Sequence, residues 1–546
     1  MHSRKILGIA ASLRNARWGA GNSNLVEHLC ALKTKEELLA YITKESELHL
    51  ENFREAGQRD GKDAFEIFSN LQKKQGDSGL SNSEVALAAA LWAAYKEGSG
   101  IEHLSLSQYF TADGRQRHPE ILREKLLEAD GLLISGPVYF GDRGSLAESL
   151  IEFIANDADL RAAMSGRLYG GIAVGAKRNG GQETTLIYQM LDMVNLGFLT
   201  VGNDSETTAQ YGGTGHAGDV GTMHKDSYGI DTSIGVGRRM ARVLKQLGTK
   251  STLRDVPKTL FLILQDASDI GARTVDRLMT RFGSEMHAAV LNVTGRSVMR
   301  CIACDICPKQ FGPDEKYSCT IAAKIDSMPD LHRSLLYHDL IVPVGVSMQE
   351  PILGSRYQTF LERTRYLRHA DFIWSDVMVA PLVLEEPADY RSLPIRMMTS
   401  FLRHHTVMAK PMIGYVQDGE VNNLQRIEKD FSQTLAYAAR LTAGRLAQTK
   451  ETSTALRYNP VGYALVAAKD KNDERRREAG EERRNRLIVE AENRLGPQDP
   501  GGISYYGRYK TCRLVDEAEP RKSSIIINDE PSSSETSPTR GPNAGS

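Results

Sequence analysis

The chain lacks a dominant charge. Its 68 lysines and arginines are balanced by 69 aspartates and glutamates among 546 residues, so no global field draws it to nucleic acid or acidic lipid. It also lacks a membrane-length apolar run. The longest, Val85 to Tyr95, is alanine-rich and well short of the ~20 residues that a spanning helix needs. The opening MHSRKILGIAAS feeds a short apolar stretch into a polar loop, which reads as a buried strand rather than a signal peptide. No nucleic-acid partner and no membrane are expected, and a reducing cytoplasm fits best. Cysteine is scarce, with six in the chain, which disfavours a disulfide framework. No GxGxxG fingerprint follows the first strand, so a nicotinamide nucleotide is not expected to have a Rossmann site of its own.

The few cysteines are concentrated. Cys301, Cys304, Cys307 and Cys319 lie in CIACDICPKQFGPDEKYSC. A C-x2-C-x2-C loop lets three thiolates converge on one centre, and a fourth can close the shell from a distance, as a cubane iron–sulfur cluster requires. Zinc also takes four thiolates, but usually from two separate C-x2-C knuckles. Cluster, zinc and plain thiols all remain open on spacing alone.

The length implies more than one domain. Lys5 to Ala11 predicts a strand buried on both faces. It enters SLRNARWGAGNSN and a helix from about Ser23. That order presents backbone N–H groups and a helix N-terminus to a phosphate, with Ser12, Arg14, Ser23 and Asn24 as further donors. Residues 34–99 show only helical periodicity and read as a helical insertion: a lid, an oligomer contact or a plain excrescence. Strands at 101–106, 131–135, 168–175 and 198–202 then alternate with helices, which describes a doubly wound parallel α/β sheet.

Here the chain resembles the NADPH-dependent FMN reductases, a branch of the flavodoxin-like superfamily. The matching segments are AASLRNARWGAGNSN, SGPVYFGDRGS, GGQETTL and GGTG followed by DSYGIDTSIGVGRRMA. The resemblance implies FMN as cofactor and NAD(P)H as electron donor. It also implies ring contacts from Pro137, Val138, Tyr139, Phe140 and Gly141, and a second ring-edge loop at Gly180, Gly181 and Gln182. Glycines let backbone amides approach the ring, and aromatics supply stacking area. His216 and His224 fall in a loop near the expected ring.

The second half repeats the scheme, with strands near 259–264, 286–293, 339–344, 373–382 and 407–416. Its cysteine loop follows its second strand, an order similar to the iron–sulfur flavoproteins, which implies a 4Fe-4S cluster; the spacer before Cys319 is longer than in that family. Its first loop, QDASDIGART, carries Asp266 and Asp269, which would repel a phosphate. One FMN and one cluster per chain are therefore expected, in two tandem flavodoxin-like units. The expected domains are 1–250 (insertion about 34–99), 255–450, and 451–546 as a charged, solvated helix and disordered tail. His404 and His405 read as cations closing a helix.

The expected function is a flavin-dependent NAD(P)H oxidoreductase passing electrons between FMN and the cluster to an unknown acceptor, as a homo-oligomer. One alternative is a two-electron quinone or FMN reductase with structural cysteines or zinc. The other is a non-catalytic redox sensor or scaffold.

Overall fold

The computed structural model describes residues 4–14, 17–74, 79–204, 209–304, 307, 315–347, 354–368, 373–386, 392–451, 466–496 and 525–526. The fold is α/β with a mostly parallel sheet. In the first half the apolar runs become β1 (Lys5–Ala10), β2 (Gly100–Ser105), β3 (Gly131–Tyr139), a short return β4 (Asp142–Arg143), β5 (Leu168–Gly175), β6 (Leu199–Thr200) and β7 (Gly213–His216). They lie in the order β2-β1-β3-β5, with β6 and β7 successively beside β5, all parallel except the β3–β4 hairpin. Counting β6 and β7 as one interrupted strand gives the doubly wound order 2-1-3-4-5.

The second half contributes β8 (Lys258–Gln265), β9 (His287–Asn292), β10 (Leu340–Ser347), β11 (Met378–Val379), β12 (Leu382–Glu385), β13 (Val407–Met408) and β14 (Met412–Gln417). Their parallel order is β9-β8-β10, then β11 and β12 in line, then β13 and β14 in line. This is the same winding. A hairpin strand, β15 (Glu420–Val421), folds onto β14, and β16 (Ile525–Ile526) adds beside β9.

The two units join edge to edge. β6 meets β13 through an antiparallel pair, Thr200 with Met408, so strand direction reverses at the seam of one continuous sheet. Side-chain alternation makes both core layers run across it. Ile6 shares one layer with Phe261 and Ile263, whereas Leu7 and Ile9 share the other with Leu260 and Leu262. Polar ties reinforce the seam. Arg239 pairs with Asp376, Gln246 donates to Asp376 at 2.8 Å, and Gln433 donates to Ser165 at 2.9 Å.

Two expectations change. The insertion is shorter than 34–99, because helix Asn82–Lys96 belongs to the core. Val85 to Ala94 are all buried, and the helix packs on β1, β3 and β5 beside helix Ser227–Leu247. Its alanines allow an approach so close that a Cβ on Gly237 would stand 2.0 Å from the Ala90 carbonyl oxygen. An alanine-rich run thus marks a tight helix crossing here, not an excrescence.

The charged run is helical, within Val466–Arg494, with Glu481, Glu482 and Asn485 exposed, but the turns that follow it are packed. Leu487, Ala491 and Leu495 pack on Ala443, Leu446 and Ala447 of the long helix Leu424–Glu451. Arg483 donates to the Ile373 carbonyl at 3.1 Å, and Arg494 pairs with buried Asp339 at 2.7 Å. Charges that look exposed by composition are neutralised by partners distant in sequence. Apart from β16, the expected disordered tail and Cys512 lie outside the described residues.

Candidate functional site

β3 carries its chain past the sheet edge. Tyr139 is 59% exposed and Phe140 wholly exposed, an uncovered aromatic pair at a strand tip. Phe140 and Gly141 turn the chain with φ of 52° and 79°. For a phenylalanine that conformation is costly, and such strain gathers at functional loops. Gly181, at φ 102°, opens helix Gln182–Asn195. A Cβ there would lie 2.6 Å from Gly141 Cα and 3.4 Å from Val138 Cγ1. The two glycine loops anticipated from sequence are therefore in contact, and only glycine permits it.

Gln182 is buried and braces its loop from within. Its amide donates to the Lys177 carbonyl at 2.6 Å and the Gly215 carbonyl at 3.1 Å, and its side-chain oxygen accepts from the Gly180 N–H at 2.9 Å. Beside these loops a cavity of about 340 Å³ is bordered by Leu13, Pro137, Tyr139, Phe140 and Arg143. Glu148 and Asp192, each 2.5 Å away, hold the Arg143 guanidinium.

The residues after β1 divide. Ser12 accepts a 3.3 Å bond from the Arg14 N–H, and the Arg14 guanidinium lies 5.5 Å from the Phe53 ring centre. Ser23 and Asn24 are exposed in the first turn of helix Ala20–Ala31, which packs on β2 at the outer edge. The helix that starts beside the ends of β1 and β3 is Asn82–Lys96 instead. The Ser135 hydroxyl donates to the Ser83 carbonyl at 2.8 Å.

Glu84 accepts the Ser81 N–H at 3.1 Å, and the buried Ser81 side chain faces the Glu84 N–H in return, as a capping box. Arg17, buried, steadies this helix start through the Gly79 carbonyl at 3.1 Å and Glu84 at 3.4 Å. Sequence reasoning missed Ser81–Ser83. The signal was present: Gly79-Leu80-Ser81-Asn82-Ser83-Glu84 repeats the small-polar turn of Gly19 to Asn24 and adds an S-x-x-E start. His216 ends β7, its N–H donating to Asp226 at 2.7 Å. His224 lies in a short turn.

In the second unit Asp266 is buried, and its carboxylate accepts the Ala272 N–H at 2.8 Å at the start of helix Ile270–Phe282. Burial pushes its pKa up, opposed by hydrogen bonds from the Ala272 and Gly271 N–H groups. The carboxylate occupies the place a phosphate takes at a helix N-terminus. Asp269, at φ 57°, is the residue just before that helix.

The cysteine loop brings two thiols together. A hydrogen bond from Cys307 pulls Cys319 down to about 5, helped by the Ile321 N–H and Tyr317. The same bond, then burial, pushes Cys307 up. Cys304 lies 3.5 Å from the Thr320 hydroxyl, and Cys301 accepts the Ala303 N–H at 3.4 Å. Among the described residues no three His, Cys, Asp or Glu side chains converge in a metal-binding group.

One buried ion pair clamps both arms of this loop. Arg363 and Asp326 are 2.7 Å apart with fully buried side chains. Arg363 donates to the Met299 carbonyl at 2.8 Å, the Ile321 carbonyl at 3.1 Å and the Tyr317 hydroxyl at 2.5 Å. Asp326 accepts the Met299 N–H at 3.1 Å. Burial works against the Arg363 charge, but Asp326 more than offsets it and raises the pKa. The loop is thus gathered by the protein itself.

Comparison with known proteins finds partial matches to flavoproteins. An iron-sulfur flavoprotein of Methanocaldococcus jannaschii is 38% identical over 128 residues, covering 23% of this chain and 64% of its own. One from Methanosarcina thermophila is 27% identical over 125 residues, covering 22% and 60%. The chain thus spans less than two thirds of the length of either relative. The crystal structure of a flavodoxin, WrbA-like protein from Agrobacterium tumefaciens is 13% identical, covering 45% of this chain and 98% of its own, with a TM-score of 0.24. The family model for NADPH-dependent FMN reductase matches residues 77–210, which begin just before helix Asn82–Lys96 and include both glycine loops.

Proposed function

We propose that this chain is a flavin-dependent NAD(P)H oxidoreductase that holds FMN at the rim formed by β1, β3 and β5. The contact of Gly141 with Gly181 beneath exposed Tyr139 and Phe140 carries this reading. The residues suit the group. Tyr139 and Phe140 offer flat apolar area to a ring. Pro137, Val138 and Gly141, with Gly180 and Gly181, bring backbone to its edge, and Gln182 keeps that loop in shape. The start of helix Asn82–Lys96, with its small polar residues Ser81 to Ser83, and Ser12 with Arg14 suit a phosphate. Ser23 and Asn24 have no such place. Bound FMN would supply hydride acceptance from a nicotinamide lying over the exposed face of the site.

On this reading Cys301, Cys304, Cys307 and Cys319 hold a 4Fe-4S cluster that relays single electrons to an acceptor. The boundaries 1–250, 255–450 and 451–546, a homo-oligomeric state and a cytoplasmic setting belong to the same proposal. No helix among the described residues is long and apolar enough to cross a membrane.

The test is FMN titration of the full chain followed by flavin fluorescence quenching. Gly181→Ala should weaken binding by about tenfold or more, because a Cβ there forces the loop away from Gly141 and the ring edge, and should also lower stability by the ~1–3 kcal/mol that this φ costs a side chain. Failure of the unaltered protein to quench flavin would sink the proposal. A second reading, a two-electron quinone or FMN reductase with structural cysteines or zinc, draws support from the hydrogen-bonded Cys307–Cys319 pair. Iron and zinc counted in anaerobically purified protein separate the two.

A further inference from the structure

Arg17 lies buried in a polar cluster that joins the helical insertion to the start of helix Asn82–Lys96. Its guanidinium donates to the Gly21 carbonyl at 3.2 Å and the Gly79 carbonyl at 3.1 Å. It also faces two carboxylates, Glu84 at 3.4 Å and Glu45 at 3.8 Å. The Glu84 side chain is only 2% exposed, and its other oxygen accepts the Ser81 N–H. His103 stands 3.5 Å from Glu84, but burial and then Arg17 lower its pKa to about 3, so it is neutral near pH 7. Arg17, not His103, therefore supplies the positive charge against Glu84. Glu45 belongs to helix Lys35–Phe53 of the insertion, and its carbonyl accepts the Leu80 N–H at 3.1 Å. A Cβ on Gly79, at φ 74°, would stand 2.3 Å from that carbonyl oxygen. The same helix ends in Phe53, whose ring lies against the Arg14 guanidinium.

We propose that Arg17 is a positioning residue that sets this site's preference for a phosphorylated flavin over an unphosphorylated one. The inference rests on the flavin reading above and concerns the phosphate end alone. A carboxylate in the first turn of a helix stabilises the helix, but it repels a phosphate drawn to the same N–H groups. Glu84 is such a carboxylate, and its burial leaves little solvent to screen it. Arg17 offsets that charge, and its grip on the Gly79 carbonyl presses the turn onto the insertion. Its donors are directed at protein groups, so it acts on the phosphate through the turn. The insertion thereby becomes part of the flavin site: it carries the cation that lets an acid-capped helix start accept an anion.

FMN and riboflavin differ by the phosphate alone, so their affinities for the full chain, measured by flavin fluorescence quenching, isolate this effect. Thermal melting confirms that each variant folds. The unaltered protein should prefer FMN by about a hundredfold. Arg17→Gln should weaken FMN by about tenfold and leave riboflavin within about twofold. Adding Glu84→Gln, whose amide can still accept the Ser81 N–H, should restore most of the loss. Glu84→Gln alone should tighten FMN and leave riboflavin unchanged; Glu45 still faces Arg17 there, so this variant decides the matter even if Arg17→Gln does not fold. Unchanged FMN affinity or an equal loss of both flavins in Arg17→Gln, or weaker FMN binding in folded Glu84→Gln, overturns the proposal. Equal affinity of the unaltered protein for the two flavins would also overturn it while leaving the flavin reading standing, whereas binding of neither would refute that reading itself.

Discussion

At the scale of single residues, buried polar groups decide more than exposed ones. His404 and His405 look in sequence like cations at a helix end, yet helix Leu393–Leu402 stops before them and both are buried. Burial, then the nearby Arg239 and Arg368, lowers His405 to about 3, and burial lowers His404 well below its usual value. Folding therefore competes with protonation. The unfolded chain binds these protons below about pH 6.5, so their contribution is complete above that pH and is lost as pH falls below it, for His405 down to about 3. Each histidine should tilt stability by up to ~1.4 kcal/mol per pH unit in that window. Urea unfolding at pH 7 and pH 5 measures the tilt, and His405→Asn should flatten it. Equal slopes in the two proteins would remove this account.

Arg363 and Asp326 make a second case. Asp326→Asn would strand a buried guanidinium, at a cost of ~3–5 kcal/mol. Thiol alkylation of iron-free protein should then quicken at all four loop cysteines. If alkylation rates stay unchanged, the clamp does not organise the loop.

At the scale of elements, the strands were the most legible part. Leu168–Gly175 is a strand with the bounds expected from its apolar run, and β8 and β9 match theirs within two residues, because continuous apolar runs bounded by polar loops have few other readings. The two glycine loops could also be read, since their glycines meet a backbone constraint visible in the residue type. Helix roles could not. Two small-polar turns, at Gly19 and at Gly79, both precede apolar helices, and local pattern cannot say which helix covers β1. Tertiary packing chooses the second, through the fit of Ala90 against Gly237. Gly237→Ala should therefore cost about 1–3 kcal/mol, read as a drop in urea midpoint. An unchanged midpoint would mean that the two helices can part freely.

At the scale of the whole molecule, the seam is what sequence could not announce. Thr200 and Met408 are ordinary residues, and nothing local marks an edge strand for pairing with another unit. Arg239, Gln246 and Asp376 tie residues on either side of the proposed 250/255 boundary to one another. The acidic residues of QDASDIGART were legible in another way, because a carboxylate near a helix start can take the N–H groups there, as Asp266 takes that of Ala272.

The seam also sets a distance. From β3, which carries the aromatic tip, to β8 and β9, which lead into the cysteines, the sheet path runs through β5, β6, β13, β11 and β10. Six or seven strand spacings of ~4.8 Å amount to roughly 30 Å, and the reversal at β6–β13 puts the two loops on opposite borders of the sheet. Tunnelling decays exponentially with separation, so a flavin and a cluster this far apart in one chain would be poor partners for each other. The electron would travel faster between neighbouring copies, one chain's first unit facing another's second. In stopped-flow experiments with NADPH, bleaching of the cluster should then rise with protein concentration, or collapse when oligomers are diluted apart. A rate that is fast and independent of concentration down to the monomer would show the relay to be contained within a single chain.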